Sequence, residues 1–242
     1  MSPRDFTRRS TEPEWMDDET LDYATFRDCL SDLARVNSLT LAYRPTLRFL
    51  DRLEETGRLP RQRPLRVLDA GSGYGDMLRR IAAWADRKRV QVELIGIDLN
   101  RWSAAAAEEI TPPHLPIHWH TGDIFSFPEN RPLDVIISAL FTHHLNDGVL
   151  RRFLRFMEDR ARLGWFVNDL HRHPLPHLVF RAAAPALRLH PMVRHDGPIS
   201  IERGFAGADW RLALSDAGIS PADSEIAWWM PFRFCVSRMK PQ

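Results

Sequence analysis

Lysine is nearly missing from this 242-residue chain: Lys88 and Lys240 are the only two among 33 basic residues. A nucleoside-triphosphate loop needs a lysine followed by Ser or Thr after its glycines, and neither lysine stands there, which excludes that class. Cysteine is scarce too. Cys29 and Cys235 lie too far apart for metal or redox spacing, and a reducing cytoplasm is the expected compartment. No uninterrupted apolar run approaches the ~20 residues of a membrane span. The opening MSPRDFTRRSTEPEWMDDE lacks the apolar core of a secretory signal. With a net charge of +1, no excess of either sign points to nucleic acid or a membrane surface.

What is present divides the chain near residue 63. Residues 1–13 are polar with two prolines and are expected to fray. From Asp17 to Glu55 the pattern is helical: Leu30, Leu33, Ala34 and Leu41 recur at helical spacing, and Pro45 breaks or starts a helix. Residues 1–63 are therefore a disordered tail plus a helical cap, joined by the linker RLPRQRP to a unit spanning 64–242. There LRVLDA, VELIGIDL, IHWHTGDIF, LDVIISALF and RLGWFVNDL read as strands alternating with helices. That rhythm specifies an α/β, doubly wound, mostly parallel sheet. SEIAWWMP and RFCVSRMK are too close together for a helical crossover, so they form an antiparallel hairpin. Residues 171–200 interrupt the rhythm with five histidines, several prolines and one short apolar helix, and read as a lid insertion.

VLDAGSGYGD, residues 67–76, follows the first strand. Its glycines, Gly71, Gly73 and Gly75, are one residue tighter than a dinucleotide fingerprint. A glycine-rich turn without phosphate chemistry suits a ligand whose sugar and amino-acid parts lie against bare backbone. Here the sequence resembles the class I S-adenosylmethionine-dependent methyltransferases, over residues 65–240. GIDLN places Asp98 27 residues after Gly71, where an acid can accept both ribose hydroxyls, and TGDI places Asp123 where the family has an acid near the adenine amino group. The resemblance implies a seven-stranded sheet of order 3-2-1-4-5-7-6 with the last strand reversed. It implies S-adenosyl-L-methionine as cofactor. Asp69 either holds the loop backbone or reaches the methionine amino group. Leu99 and Ile124, following the two acids, and Ser138 at the tip of strand four complete the expected cofactor set.

In such sheets ligands sit beyond the carboxyl ends of the strands. Strand four ends in SALFTHHLND, without the Asn-Pro-Pro-Tyr or Asp-Pro-Pro-Tyr expected of nucleic-acid amino methylation. THHL is similar to segments of quinone and phenol methyltransferases, and His143 and His144 are read either as cofactor or substrate lining or, for His143, as catalytic. NDLHRHP at the tip of strand five and the later DGPISIERGF resemble a bacterial subgroup akin to the quinone methyltransferases. His171 and His173 are the candidate bases, because a histidine titrates where a phenol's proton must be taken, and Arg172 or Arg203 would hold an anionic group. No metal site is expected: His171, His173, His177, His190 and His195, with Asp169 and Asp196, suffice by number, but prolines break the segment and no cysteine or HExxH pattern accompanies them. Phe26, Leu30, Tyr43, Phe180, Leu187 and Met192 are expected to line an acceptor pocket, while Asn37 and Arg44 either reach the methionine carboxylate or face solvent.

The implied activity is methyl transfer to oxygen of a small apolar aromatic or polyketide-like metabolite, as in secondary metabolism. C-methylation of an electron-rich ring and a non-catalytic cofactor-binding protein are the rivals. Partners beyond the acceptor are not expected, and the oligomeric state, homodimer included, is left open.

Overall fold

The computed structural model describes residues 4–128 and 131–241. Five apolar runs form parallel strands: β1 (Leu65–Ala70), β2 (Val92–Asp98), β3 (Ile117–Thr121), β4 (Leu133–Ala139) and β5 (Ala161–Leu170). β6 (Glu225–Trp229) and β7 (Arg233–Met239) make the hairpin, and β7 pairs antiparallel with β5. The order is β3-β2-β1-β4-β5-β7-β6, as the resemblance implies. Both faces are covered. Leu65 and Val67 of β1 and Val135 and Ile137 of β4 pack under α2 (Arg44–Glu55) and α3 (Asp76–Lys88). Leu68, Ala70 and Ile136 instead face α5 (Asp147–Arg160) and α8 (Gly207–Asp216). Strand alternation therefore assigns the polar tips to opposite layers. Asp69 shares the face of Val67, whereas Asp169 shares the face of Trp165 and Val167.

Two strands are shorter than their apolar runs. β3 stops at Thr121, and the Asp123 carboxylate accepts from Phe125 N–H to cap a 3₁₀ turn, Ile124–Ser126. β4 stops at Ala139 because Leu140 turns with φ 57° into a second 3₁₀ turn, Thr142–His144. The insertion holds two helices rather than one, α6 (Pro174–Ala186) and α7 (Pro191–Arg203). Each starts on a proline whose missing N–H costs nothing in a first turn. In each the preceding histidine supplies the cap: His173 Nδ1 accepts from Leu175 N–H and His190 Nδ1 from Met192 N–H.

The N-terminal stretch departs most from its expected fraying. Residues 4–18 run as a strap across the carboxyl ends of the strands. Arg9 donates to the carbonyls of His143, Leu145 and Arg203, and Ser10 N–H to Glu202 O. The Asp196 carboxylate of α7 accepts from Trp15 and Met16 N–H, both at 2.9 Å. These tertiary bonds compensate a segment without local periodicity. Helix α1 (Tyr23–Leu39) then packs Phe26 and Leu30 near Ala106 of α4 (Ser103–Ile110), and Cys29 against Ala184, Leu189 and Val193. Among the described residues, no helix is long and apolar enough to cross a membrane.

Candidate functional site

The loop after β1 is built from three left-handed glycines, Gly71 (φ 73°), Gly73 (φ 49°) and Gly75 (φ 70°). Packing demands two of them as well. A Cβ on Gly75 would stand 2.1 Å from the Trp119 ring, and one on Gly71 2.6 Å from the Phe141 ring. The loop's first function is thus to admit two aromatic side chains of the protein itself, beside any clearance it leaves a ligand.

Behind the loop, the Asp69 side chain is buried and its Oδ1 has no hydrogen-bond partner. Burial, then the charges of Asp76 and Asp98, push its carboxyl well above the usual range. It lines a narrow cleft with Asn37, Tyr43, Gly71, Ser72 and Asp76. The Tyr43 hydroxyl donates to Asp76 at 2.6 Å, and Asn37 faces Asp76 at 3.5 Å, whereas Arg44 points to solvent. One orphaned, desolvated carboxylate in such a cleft matches an ammonium group. Asp98 ends β2 and accepts from Gly73 N–H at 2.8 Å and Asn100 N–H at 2.9 Å, so it clamps the loop. Burial raises its carboxyl despite those donors. Its remaining acceptor capacity suits a vicinal diol. Leu99 beside it is exposed, as an apolar platform would be, and Asp123 is also exposed at the tip of β3, followed by buried Ile124. Ser138 lies on the opposite layer and donates to Ala70 O, joining β4 to β1 in the interior. The donor and acceptor set around Asp69 and Asp98 therefore fits S-adenosylmethionine.

A second polar centre lies over β4 and β5. His143 Nδ1 is 2.7 Å from Asp169 Oδ1, while His143 N–H and the Thr142 hydroxyl donate to Oδ2. Burial pushes the Asp169 carboxyl up, but the charge and hydrogen bond of His143, with Thr142 and Leu170 N–H, hold it at about 2. His144 Nδ1 meets Asp17 at 3.1 Å. The Nε2 atoms of both imidazoles face the buried Glu14 carboxylate, at 3.8 and 4.0 Å. Burial raises Glu14, opposed by the charges of His144 and Arg203. Arg203 bonds the carbonyls of His143 and His144 and the Asp17 carboxylate. A groove of about 450 Å³ opens onto this centre, lined by Glu14 and Asp17 and walled by Pro13, Trp15, Leu21 and Met192.

The structure thus gathers His143, His144 and Arg203 and leaves the other named residues elsewhere. His171 Nδ1 accepts from Trp228 Nε1–H at 3.1 Å, and its ring lies against Phe234, 4.8 Å between centroids. Burial, then His173 and Arg172, lower its pKa. His173 caps α6. Arg172 donates to the carbonyls of Phe6, Thr7 and Gly204 and to Asp209, so its guanidinium ties the strap to α8. His177 meets Glu202 at 2.9 Å, and His195 stacks on Trp15 and bonds Asp196. Phe180 and Leu187 pack with the Cys29 cluster and Phe26 and Leu30 with Trp102, as two separate apolar contacts. Glu14 and Asp17 are the members of the second centre that composition and spacing did not single out.

Residues 67–164 match the family model of a methyltransferase domain. No curated protein matches the sequence. Among solved structures, human N-acetylserotonin methyltransferase in complex with SAM is similar at 15% identity and TM-score 0.63, over 91% of this chain and 57% of that one. The CMeT domain of the citrinin polyketide synthase is similar at 16% identity and TM-score 0.58, over 81% and 52%. Magnesium protoporphyrin IX methyltransferase of Synechocystis with bound SAH gives 16% identity and TM-score 0.55, over 93% and 90%. The chain spans little more than half the length of the first two. At these identities the likeness shows the fold, and it agrees with the strand order and the reversed β7. The family model thus covers residues 67–164, and the seven-stranded sheet with its reversed β7 is the Rossmann-like fold of these methyltransferases.

Proposed function

We propose that the chain transfers a methyl group from S-adenosylmethionine to an oxygen of a small, largely apolar aromatic or polyketide-like acceptor. The observation that carries this reading is the groove walled by Trp15, Leu21 and Met192 and lined by Glu14 and Asp17, the two carboxylates that face His143 and His144. Apolar walls with a few convergent polar groups are what such an acceptor requires. Asp69 and Asp98 hold the cofactor's ammonium and ribose hydroxyls, and the bound cofactor supplies an electrophilic methyl group. Displacement at that methyl needs nucleophile, carbon and sulfur in line and water kept out. The strap, α1–α2 and the insertion at 171–200 serve as the cover. Asp169 fixes the His143 ring, so that Nε2 points toward the acceptor's end of the groove, where a hydroxyl loses its proton. Two unpaired, buried thiols suit a reducing cytoplasm.

The test is incubation with methyl-labelled S-adenosylmethionine and a panel of hydroxylated aromatics, with product analysis. Label on acceptor oxygen supports the reading. Label on ring carbon transfers it to C-methylation, and tight cofactor binding without transfer to any acceptor makes the protein a non-catalytic binder.

A further inference from the structure

Glu14, His143 and His144 come from segments about 130 residues apart, yet one ligand atom from each lies within 4.8 Å of the others. The arrangement behind them is as telling as the atoms in front. Each imidazole has its Nδ1 engaged by a carboxylate, Asp169 for His143 and Asp17 for His144. That leaves both Nε2 lone pairs turned toward Glu14, at 3.8 and 4.0 Å from its oxygens. Carboxylate–histidine pairs of this kind orient and enrich the ligands of metal sites. The Glu14 side chain is 5% exposed, and its Oε1 has no hydrogen-bond partner.

Charge points the same way. Glu14 and Asp17 meet the Arg203 guanidinium, 3.6 Å from Glu14 and 3.1 Å from Asp17, while Asp169 faces the charges of Arg9 and Arg233. With neutral imidazoles, two carboxylates thus share one guanidinium around the buried Glu14, which leaves room for a cation.

We propose that Glu14, His143 and His144 form a binding site for one divalent transition-metal cation at the acceptor end of the groove. Two imidazoles and one carboxylate with open positions suit zinc and its neighbours. Ligand atoms around tetrahedral zinc stand roughly 3.3 Å apart, so separations of at most 4.8 Å close by up to about 1.5 Å on binding. With the metal bound, His143 Nε2 would be a ligand rather than the base, and an acceptor hydroxyl at an open position would ionise more readily, its proton passing to solvent. The acceptor oxygen then forms its bond to the methyl carbon as the carbon–sulfur bond breaks, the electron pair leaving with sulfur. This chemical role rests on the methyl-transfer reading; the site itself rests on the cluster's geometry.

The test is calorimetric titration of chelator-stripped protein with Zn²⁺ alone, and with Co²⁺ followed by its visible absorption. One equivalent per chain is expected. Glu14→Gln and His144→Ala should weaken it by about 100-fold, and Asp17→Asn, at a side chain 43% exposed, by about 10–100-fold without disturbing the fold. Circular dichroism of each variant checks folding. A double His118→Ala/His120→Ala variant, on exposed histidines of β3, should bind unchanged. Absence of stoichiometric binding, or binding lost only in that double variant, overturns the proposal. S-adenosylmethionine affinity is measured on the same samples: its absence beside intact Zn²⁺ binding sinks the methyl-transfer reading and leaves the metal site standing.

Discussion

His143 is held through its Nδ1, 2.7 Å from Asp169 Oδ1, in a place where both residues are buried. The pair joins a 3₁₀ turn after β4 to the tip of β5, so ring orientation is fixed by two neighbouring strands. Replacing His143 with Ala should lower turnover by about 10²–10⁴-fold while cofactor affinity stays the same. Asp169→Asn should lower kcat more than it raises KM. Steady-state kinetics with separate cofactor titration checks both, and a loss below tenfold would assign catalysis to positioning alone.

Acid should dismantle the same centre. Burial pushes Asp17 and Asp169 up, but His144 and Arg203 for the first, and His143, Thr142 and Leu170 for the second, hold each at about 2. An unfolded aspartate titrates near pH 4, so the unfolded chain takes up these protons first as pH falls. The stabilisation is complete above about pH 4 and is lost progressively toward pH 2. Urea midpoints followed across that range should fall, and Asp17→Asn should fall less steeply than the parent.

Asp69 has the opposite sign. Burial, then Asp76 and Asp98, raise its carboxyl, so the ligand-free fold retains a proton that the unfolded chain has released. Stability without cofactor therefore decreases as pH rises above about 4. Asp69→Asn should raise the ligand-free melting temperature by about 2–4 °C, equivalent to about 1 kcal/mol for a chain of this size, and flatten that pH dependence. The same variant should lose at least about tenfold in cofactor affinity, the scale of one charge-assisted bond. Thermal melts with and without S-adenosylmethionine separate the two effects.

Gly75→Ala meets two obstacles, a φ of 70° and the Trp119 ring at 2.1 Å from the new Cβ. The left-handed backbone costs about 1–2 kcal/mol and overpacking about 1–3 kcal/mol more. Chemical denaturation should show a loss in that combined range. Trp119→Leu in the Gly75→Ala background should recover the packing part only.

The alternation of strands and helices, the glycine loop, Asp98 and the closing hairpin were legible because each is a local pattern with a short repeat. The second centre was legible only in part, through His143, His144 and Arg203. Glu14 and Asp17 stand in a polar, proline-bearing stretch whose partners, His143, His144, Asp196 and Arg203, lie more than 120 residues away. NDLHRHP was correctly marked as a polar strand tip, yet β5 ends at Leu170, and Asp169 within the strand, rather than His171 beyond it, meets the turn carrying His143. His173 and His190 carried an overlooked signal. Each precedes a proline that opens a helix, which is a capping position before it is a catalytic one.

The strap anchored on Asp196 also sets a timetable for synthesis. β1 to β4, with Asp69 and Asp98 among their residues, are synthesised before α7. Glu14 emerges first of all the acceptor-end residues and gains its place only when Asp196 and Arg203 arrive. Because domains fold as their chain appears, the glycine loop clamped by Asp98 can be assembled before the groove exists. The strap is made before the sheet it crosses and is locked in place after it.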